Sequence, residues 1–278
     1  MELKYSLILA SAWLFVLAAV FYAFVYPKLR RKRLDNTPFP DTWLAFLRRN
    51  LSVYASMRPE LQEQLQGLII RFMADKQFMG CAGQQINDEI RVTIAAHACL
   101  LLLNRPSHEY SALKSILVYP AAFRVKRDTL SDGGLVSENH HTLSGESWST
   151  GKIVLSWDDV NRGISSFSDG HNVVLHEFAH QLDQESGSTN GAPLLYSREA
   201  YEHWGKVLNS EFKQLRKASA NHHDSLIDVY GATNPAEFFA VVTETFFEQP
   251  RQLEQQHEEL FNEFLNYYQV DPREWHET

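Results

Sequence analysis

The sequence predicts an α+β domain with a small mixed sheet and flanking helices, preceded by one N-terminal transmembrane helix. Three observations carry that prediction. Residues 5–27 contain no charged side chain. From Trp43 to Leu103, and again after Gly170, apolar residues return at the three- and four-residue spacing of helices. Between these blocks lie short runs rich in β-branched and aromatic residues, the composition of strands. Helices, then a few strands, then helices again is the order of an α+β fold rather than of repeated βαβ units.

The N-terminal element comes first. At about 1.5 Å per residue, the 23 uncharged residues between Lys4 and Lys28 form a helix long enough to span a hydrocarbon core of roughly 30 Å. A cleaved signal peptide has a shorter apolar region that ends on small residues, whereas this one ends in Tyr22-Ala23-Phe24-Val25-Tyr26. The sequence therefore reads as an uncleaved anchor over residues 1–34, with a span of about 5–27. Lys28, Arg30, Arg31, Lys32 and Arg33 follow the span and only Lys4 precedes it. The positive-inside rule then places the remainder, residues 35–278, on the cytoplasmic side of the inner membrane.

After a short linker at Asp35–Pro40, helices are expected around Trp43–Leu51, from Pro59-Glu60 through Phe72, and over Asp88–Leu103. Strands are expected at Ile116–Tyr119, Phe123–Val125 and Ile153–Trp157. Ile153–Trp157 reads either as a core strand or as a sheet edge able to pair with an extended substrate. Further helices are expected at Asn172–Asp183, Arg198–Lys217, Pro235–Glu248 and Gln252–Tyr268.

Charge narrows the function. The chain has 26 basic and 34 acidic residues, a net of −8. The segment through Leu34 holds six basic residues against Glu2, so the remainder carries −13. A domain so acidic, with no basic run, repels a phosphate backbone, and nucleic acid is excluded as a partner. Cys81 and Cys99 do not form a disulfide framework and read as free, packed thiols.

The chemistry is concentrated in His176-Glu177-Phe178-Ala179-His180. Residues four apart share a helix face, so His176 and His180 can offer two imidazole nitrogens to one metal ion. Glu177 can then serve as general base toward a metal-bound water, the arrangement of a zinc peptidase acting on a peptide or protein substrate. The alternative is a helix whose histidines and glutamate face water. Val173, Val174, Leu175, Phe178, Ala179 and Leu182 surround the polar trio and argue against it. Asp183 could steady a ligand imidazole or could be a surface acid. A catalytic site needs a third protein ligand. Both Glu237 and Glu244 are candidates, and Glu237 also fits the third position of a helix start capped by Asn234 and Pro235. His140, His141, His171, His222 and His223 receive no role.

Several blocks of the sequence resemble the Mlc titration factor A family of bacterial zinc peptidases, whose catalytic domain is related to the anthrax lethal factor protease. They are Phe78–Gly83, Arg91–Ala96, Gly145–Trp148, Val154–Val160, Asp169–Asp183 and Tyr230–Ala240, within about Phe78 to Phe247. The resemblance implies a zincin-like metallopeptidase fold, Zn2+ as cofactor, Glu237 as third ligand, Tyr230 as the group that stabilises the oxyanion, and aminopeptidase-like action or cleavage of short peptides. Lethal-factor relatives carry a further acid four residues after that ligand, where this chain has Val241. The enterobacterial members resemble soluble proteins that bind the glucose repressor Mlc, whereas this chain has an anchor. A second function is thus a zinc-containing regulatory protein that sequesters a transcriptional repressor or another partner. Glu177 and Tyr230 favour catalysis, since a structural metal site needs neither a base nor an oxyanion donor.

Overall fold

The computed structural model describes residue 5 and residues 13–105, 109–121 and 151–276. The first helix, α1 (Trp13–Asp35), is long and apolar enough to cross a membrane, and no part of its most apolar window is buried. It passes Pro27, which lacks an N–H, by widening at Phe21–Val25 into a π-turn in which the Tyr26 N–H bonds to Phe21 O. Asp35 is the last helical residue, so the linker to the domain is shorter than expected.

Next come α2 (Asp41–Asn50) and α3 (Pro59–Asp75), strand β1 (Gln77–Gly80) and α4 (Asp88–Leu100), capped by the Asn87 side chain. Strands β2 (Ser115–Tyr119) and β3 (Lys152–Ser156) complete a sheet in the order β1-β2-β3. Among the described residues this sheet is entirely parallel, with Gln77 opposite Ser115 and Ser115 opposite Lys152, which corrects the expected mixed sheet. The reason lies in the connections. β1 reaches β2 through α4 rather than a tight hairpin, and a crossover of that length returns the chain in the same direction. The expected strand at Phe123–Val125 and the resemblance block Gly145–Trp148 lie outside the described residues, as do His140 and His141.

Ser156 ends β3 and caps α5 (Trp157–Ser165), a helix not expected from the sequence. Then follow α6 (Val173–Gln184), α7 (Arg198–Ala220) and α8 (Pro235–Glu248). The single helix expected at Gln252–Tyr268 is two, α9 (Pro250–Gln256) and α10 (Glu258–Tyr268), and α4 stops at Leu100 rather than Leu103.

Packing places the site. One face of α6 enters the core through Val174, Phe178 and Leu182. The Phe178 ring lies 4.9 Å from Tyr110 and 5.7 Å from Phe72, centroid to centroid. Burying a ring of that size contributes about 1.5–3 kcal/mol. The other face of α6 meets α8, whose far side is locked by Phe239, Phe246 and Phe247 against Trp204, Phe264 and Tyr268. Two helices, each held from behind by aromatic packing, thus present their polar faces to one another.

Candidate metal centre

The Asn172 side chain accepts from the Val174 and Leu175 amides and so starts α6 where the sequence predicts. Asn172 is itself held from α8. Its amide N–H donates to Glu244 Oε2 at 2.5 Å, its Nδ2 donates to Glu248 Oε1 at 3.0 Å, and the Gly170 N–H donates to Glu248 Oε2 at 3.0 Å. The start of α6 is therefore fixed by two carboxylates of the helix it faces.

One turn into α6, His176 Nε2 lies 3.1 Å from Glu237 Oε2 and 3.2 Å from His180 Nε2, while His180 Nε2 lies 3.4 Å from Glu237 Oε2. All three side chains are buried. Among the described residues, His176, His180 and Glu237 are the one set of three or more such side chains that could hold a metal ion. Donors about 2.0–2.1 Å from a tetrahedral zinc are about 3.3 Å from one another, so the residues present fit such an ion. The charges agree. Burial disfavours a charged imidazole, but the Glu244 and Glu237 carboxylates outweigh it and hold His176 well above the ordinary histidine range. Burial likewise pushes Glu237 up, yet His176 and His180 outweigh that and draw its carboxyl far below the usual range. The cluster favours positive charge among its donors.

Glu244 is on the other side of the same imidazole: His176 Nδ1 is 2.7 Å from Glu244 Oε1. Of the two rival glutamates, Glu237 faces the shared point of the two Nε2 atoms and Glu244 faces away from it. The start of α8 is capped by the Asn234 side chain, which accepts from the Ala236 and Glu237 amides, while the Glu237 carboxylate is turned to the two histidines. Glu177 is buried beside the pair.

Tyr230 sits on a short 3₁₀ turn, Val229–Ala232, fixed by a 2.6 Å hydrogen bond from its own amide to Asp228 Oδ1. Its ring is 6.1 Å from that of His176. Burial, then the charges of Glu237 and Glu177, push its phenol above the ordinary tyrosine range, so it is a hydroxyl donor at neutral pH. His171 stands 3.6 Å from Asp228 at the rim, and His222 and His223 are exposed.

Asp183 takes neither of the roles weighed for it. It is fully buried, its Oδ2 accepts from the Gly191 N–H at 2.7 Å, and its Oδ1 has no hydrogen-bond partner. Gly191 also accepts from Trp204 Nε1 at 2.9 Å, so Asp183 ties down the loop that rests on the start of α8. Sequence reasoning missed Glu248 and Gly170 altogether. The signal was available: Glu237, Glu244 and Glu248 are seven and four residues apart, which puts three acids on one helix face.

The sequence has counterparts elsewhere. Residues 26–269 match the family described as glucose-regulated metallo-peptidase M90. The uncharacterized protein slr2042 of Synechocystis sp. is 42% identical over 261 residues, 92% of this chain and 95% of its own length. Proteins called Mlc titration factor A are 32% identical in Klebsiella pneumoniae, over 80% of this chain and 84% of theirs, and 32% in Escherichia fergusonii, over 86% and 88%.

Proposed function

The chain belongs to the glucose-regulated metallo-peptidase M90 family, and on that premise we propose that it is a zinc-dependent peptidase of the HExxH type, anchored in the inner membrane by α1 with its peptidase domain facing the cytoplasm. The observation that carries the reading is the convergence of His176 Nε2, His180 Nε2 and Glu237 Oε2 within 3.4 Å of one another. These three residues would hold the ion. Two nitrogens and one carboxylate oxygen are a donor set suited to zinc.

A zinc ion bound there would supply a water of lowered pKa and a Lewis acid toward the scissile carbonyl. Glu177, next to His176 on α6, would take a proton from the attacking water and pass it to the leaving amine. Tyr230 donates its hydroxyl hydrogen bond to the oxygen on which negative charge develops. Aminopeptidase-like cleavage of short peptides is compatible with this site. The anchor reading is supported by the length and apolarity of α1, and the orientation by the basic residues at its domain end.

A second reading is favoured by the relatives' name. Proteins called Mlc titration factor A make a regulatory role, capture of a repressor, the alternative for this chain. One substitution separates the two. Glu177→Gln should keep the bound metal, measured by elemental analysis, and abolish hydrolysis of a peptide library. Undiminished turnover overturns the peptidase mechanism, and absence of turnover in the unsubstituted chain together with tight repressor binding favours the alternative.

A further inference from the structure

The basic end of α1 does two separable jobs. At about 100° per residue, Arg30, Arg31, Leu34 and Asp35 fall on one side of the helix, with Leu29, Lys32 and Arg33 opposite and Lys28 at the edge. The first group meets the domain. Arg30 Nη1 is 2.5 Å from Asp75 Oδ1 and its Nη2 donates to the Ala74 carbonyl at 2.9 Å, so a cation sits on the C-terminus of α3. One turn on, Arg71 of α3 bridges Asp35 and Glu109, each at 2.7 Å, and Arg31 reaches the same Glu109 oxygen at 3.3 Å. Arg71 and Glu109 are largely withdrawn from water, with side-chain exposures of 16% and 13%. Single exposed ion pairs are weak, but a network spread over two turns and partly buried resists fraying.

Resting on the reading of α1 as a membrane anchor, we propose that its basic end is a rigid strut docked on α3, which leaves Lys28, Lys32 and Arg33 to bind anionic phospholipid headgroups and holds the peptidase domain in one pose on the bilayer. Three further features support it. The helix is continuous from its apolar part to the docked turns. The three remaining cations are exposed, and they lie next to the apolar stretch, at the depth of the headgroups. The rest of the chain is strongly acidic, so without the strut an anionic surface would repel it. A consequence is that substrate reaches the site at a fixed height above the membrane.

The test uses the full chain in lipid nanodiscs, with Cys81→Ser and spin labels at Leu29→Cys and Glu63→Cys, both exposed; Cys99 is fully buried. Electron–electron dipolar spectroscopy should give one narrow distance distribution, and Arg30→Gln with Arg31→Gln should broaden it. Asp75→Asn reaches the same contact from the domain side and should act alike. A broad distribution in the unsubstituted chain, or one indifferent to these changes, overturns the strut. For the lipid contact, energy transfer from a dye at Glu63→Cys to headgroup acceptors should give a shorter mean distance in phosphatidylglycerol discs than in phosphatidylcholine discs. Lys28→Gln, Lys32→Gln and Arg33→Gln together should remove that difference. Equal distances in both lipids overturn the headgroup role. Failure of the anchor itself looks different: a chain released from native membranes by alkaline carbonate overturns the anchor and the strut with it, whereas a retained chain with a broad distribution overturns the strut alone.

Discussion

His176 presents Nδ1 to Glu244 Oε1 at 2.7 Å and Nε2 to the opposite side, where Glu237 and His180 lie. A histidine that donates from Nδ1 to a carboxylate keeps the lone pair of Nε2 free for a metal and gains basicity there. Glu244→Gln retains an acceptor but loses the charge, and Glu244→Ala loses both. Metal affinity, measured by chelator competition, should fall in that order within a range of about 10–100-fold. Unchanged affinity in the alanine variant would reduce Glu244 to a fixture of the Asn172 cap.

Glu237 makes a sharper demand. A glutamate at position 237 that only completed the cap begun by Asn234 would be replaceable by glutamine without effect, because either side chain serves at that position. A ligand would not be, because a neutral amide is a poor partner for a dication. Glu237→Gln should therefore purify with little metal while keeping its fold by circular dichroism. Normal metal content in this variant with loss in Glu244→Gln would move the ligand role to Glu244.

What the sequence made legible was what short spacings determine. The Asn172 cap, the two histidines one turn apart and the Asn234-Pro235 start of α8 are each set by neighbours within four residues. β1 was invisible because Gln77–Gly80 is mostly exposed and shows no apolar alternation. α5 was hidden because β3 runs into it with no loop between, Ser156 serving both elements. The break between α9 and α10 at His257 carries neither proline nor glycine. Pairings such as Arg30 with Asp75 or Gly170 with Glu248 join residues 45 and 78 positions apart and leave no local period to read.

Tyr230 is positioned by the bond from its own amide to Asp228 Oδ1, and its phenol is turned toward Glu237, beside the point the two histidines share. Tyr230→Phe should lower kcat by roughly 10²–10³-fold, the scale of one lost oxyanion donor, with metal content unchanged. A variant with normal kcat would make Tyr230 a packing residue against His176.

Gly191 is the point at which the loop after α6 touches α8. Its φ is +78°, and a Cβ there would lie 2.3 Å from the Pro235 carbonyl oxygen. Gly191→Ala must therefore shift the loop or the start of α8, two residues before Glu237, at a cost of about 1–3 kcal/mol. Both the unfolding midpoint and the metal affinity should drop. A fall in stability with unchanged affinity would show that the loop moves and α8 does not.

Glu248 gives the pH dependence. Burial raises its carboxyl from 4.5 to about 8; the Asn172 and Gly170 hydrogen bonds oppose this, and the charge of Glu244 adds to it. In the folded chain the group holds a proton that the unfolded chain releases above pH 4.5. Its contribution to stability is therefore fully present below that value and is lost as pH rises through about 8. In Glu248→Gln the side chain no longer titrates. Because an amide cannot accept from both Asn172 and Gly170 through two oxygens, the variant also loses a constant amount of stability at every pH. The diagnostic is thus the slope, not the offset. Unfolding midpoints of the detergent-solubilised, metal-free chain between about pH 5 and 8 should decline more steeply in the unsubstituted protein than in the variant. Parallel curves would mean that Glu248 is ionised in the fold, and that the start of α6 rests on two charged carboxylates rather than one.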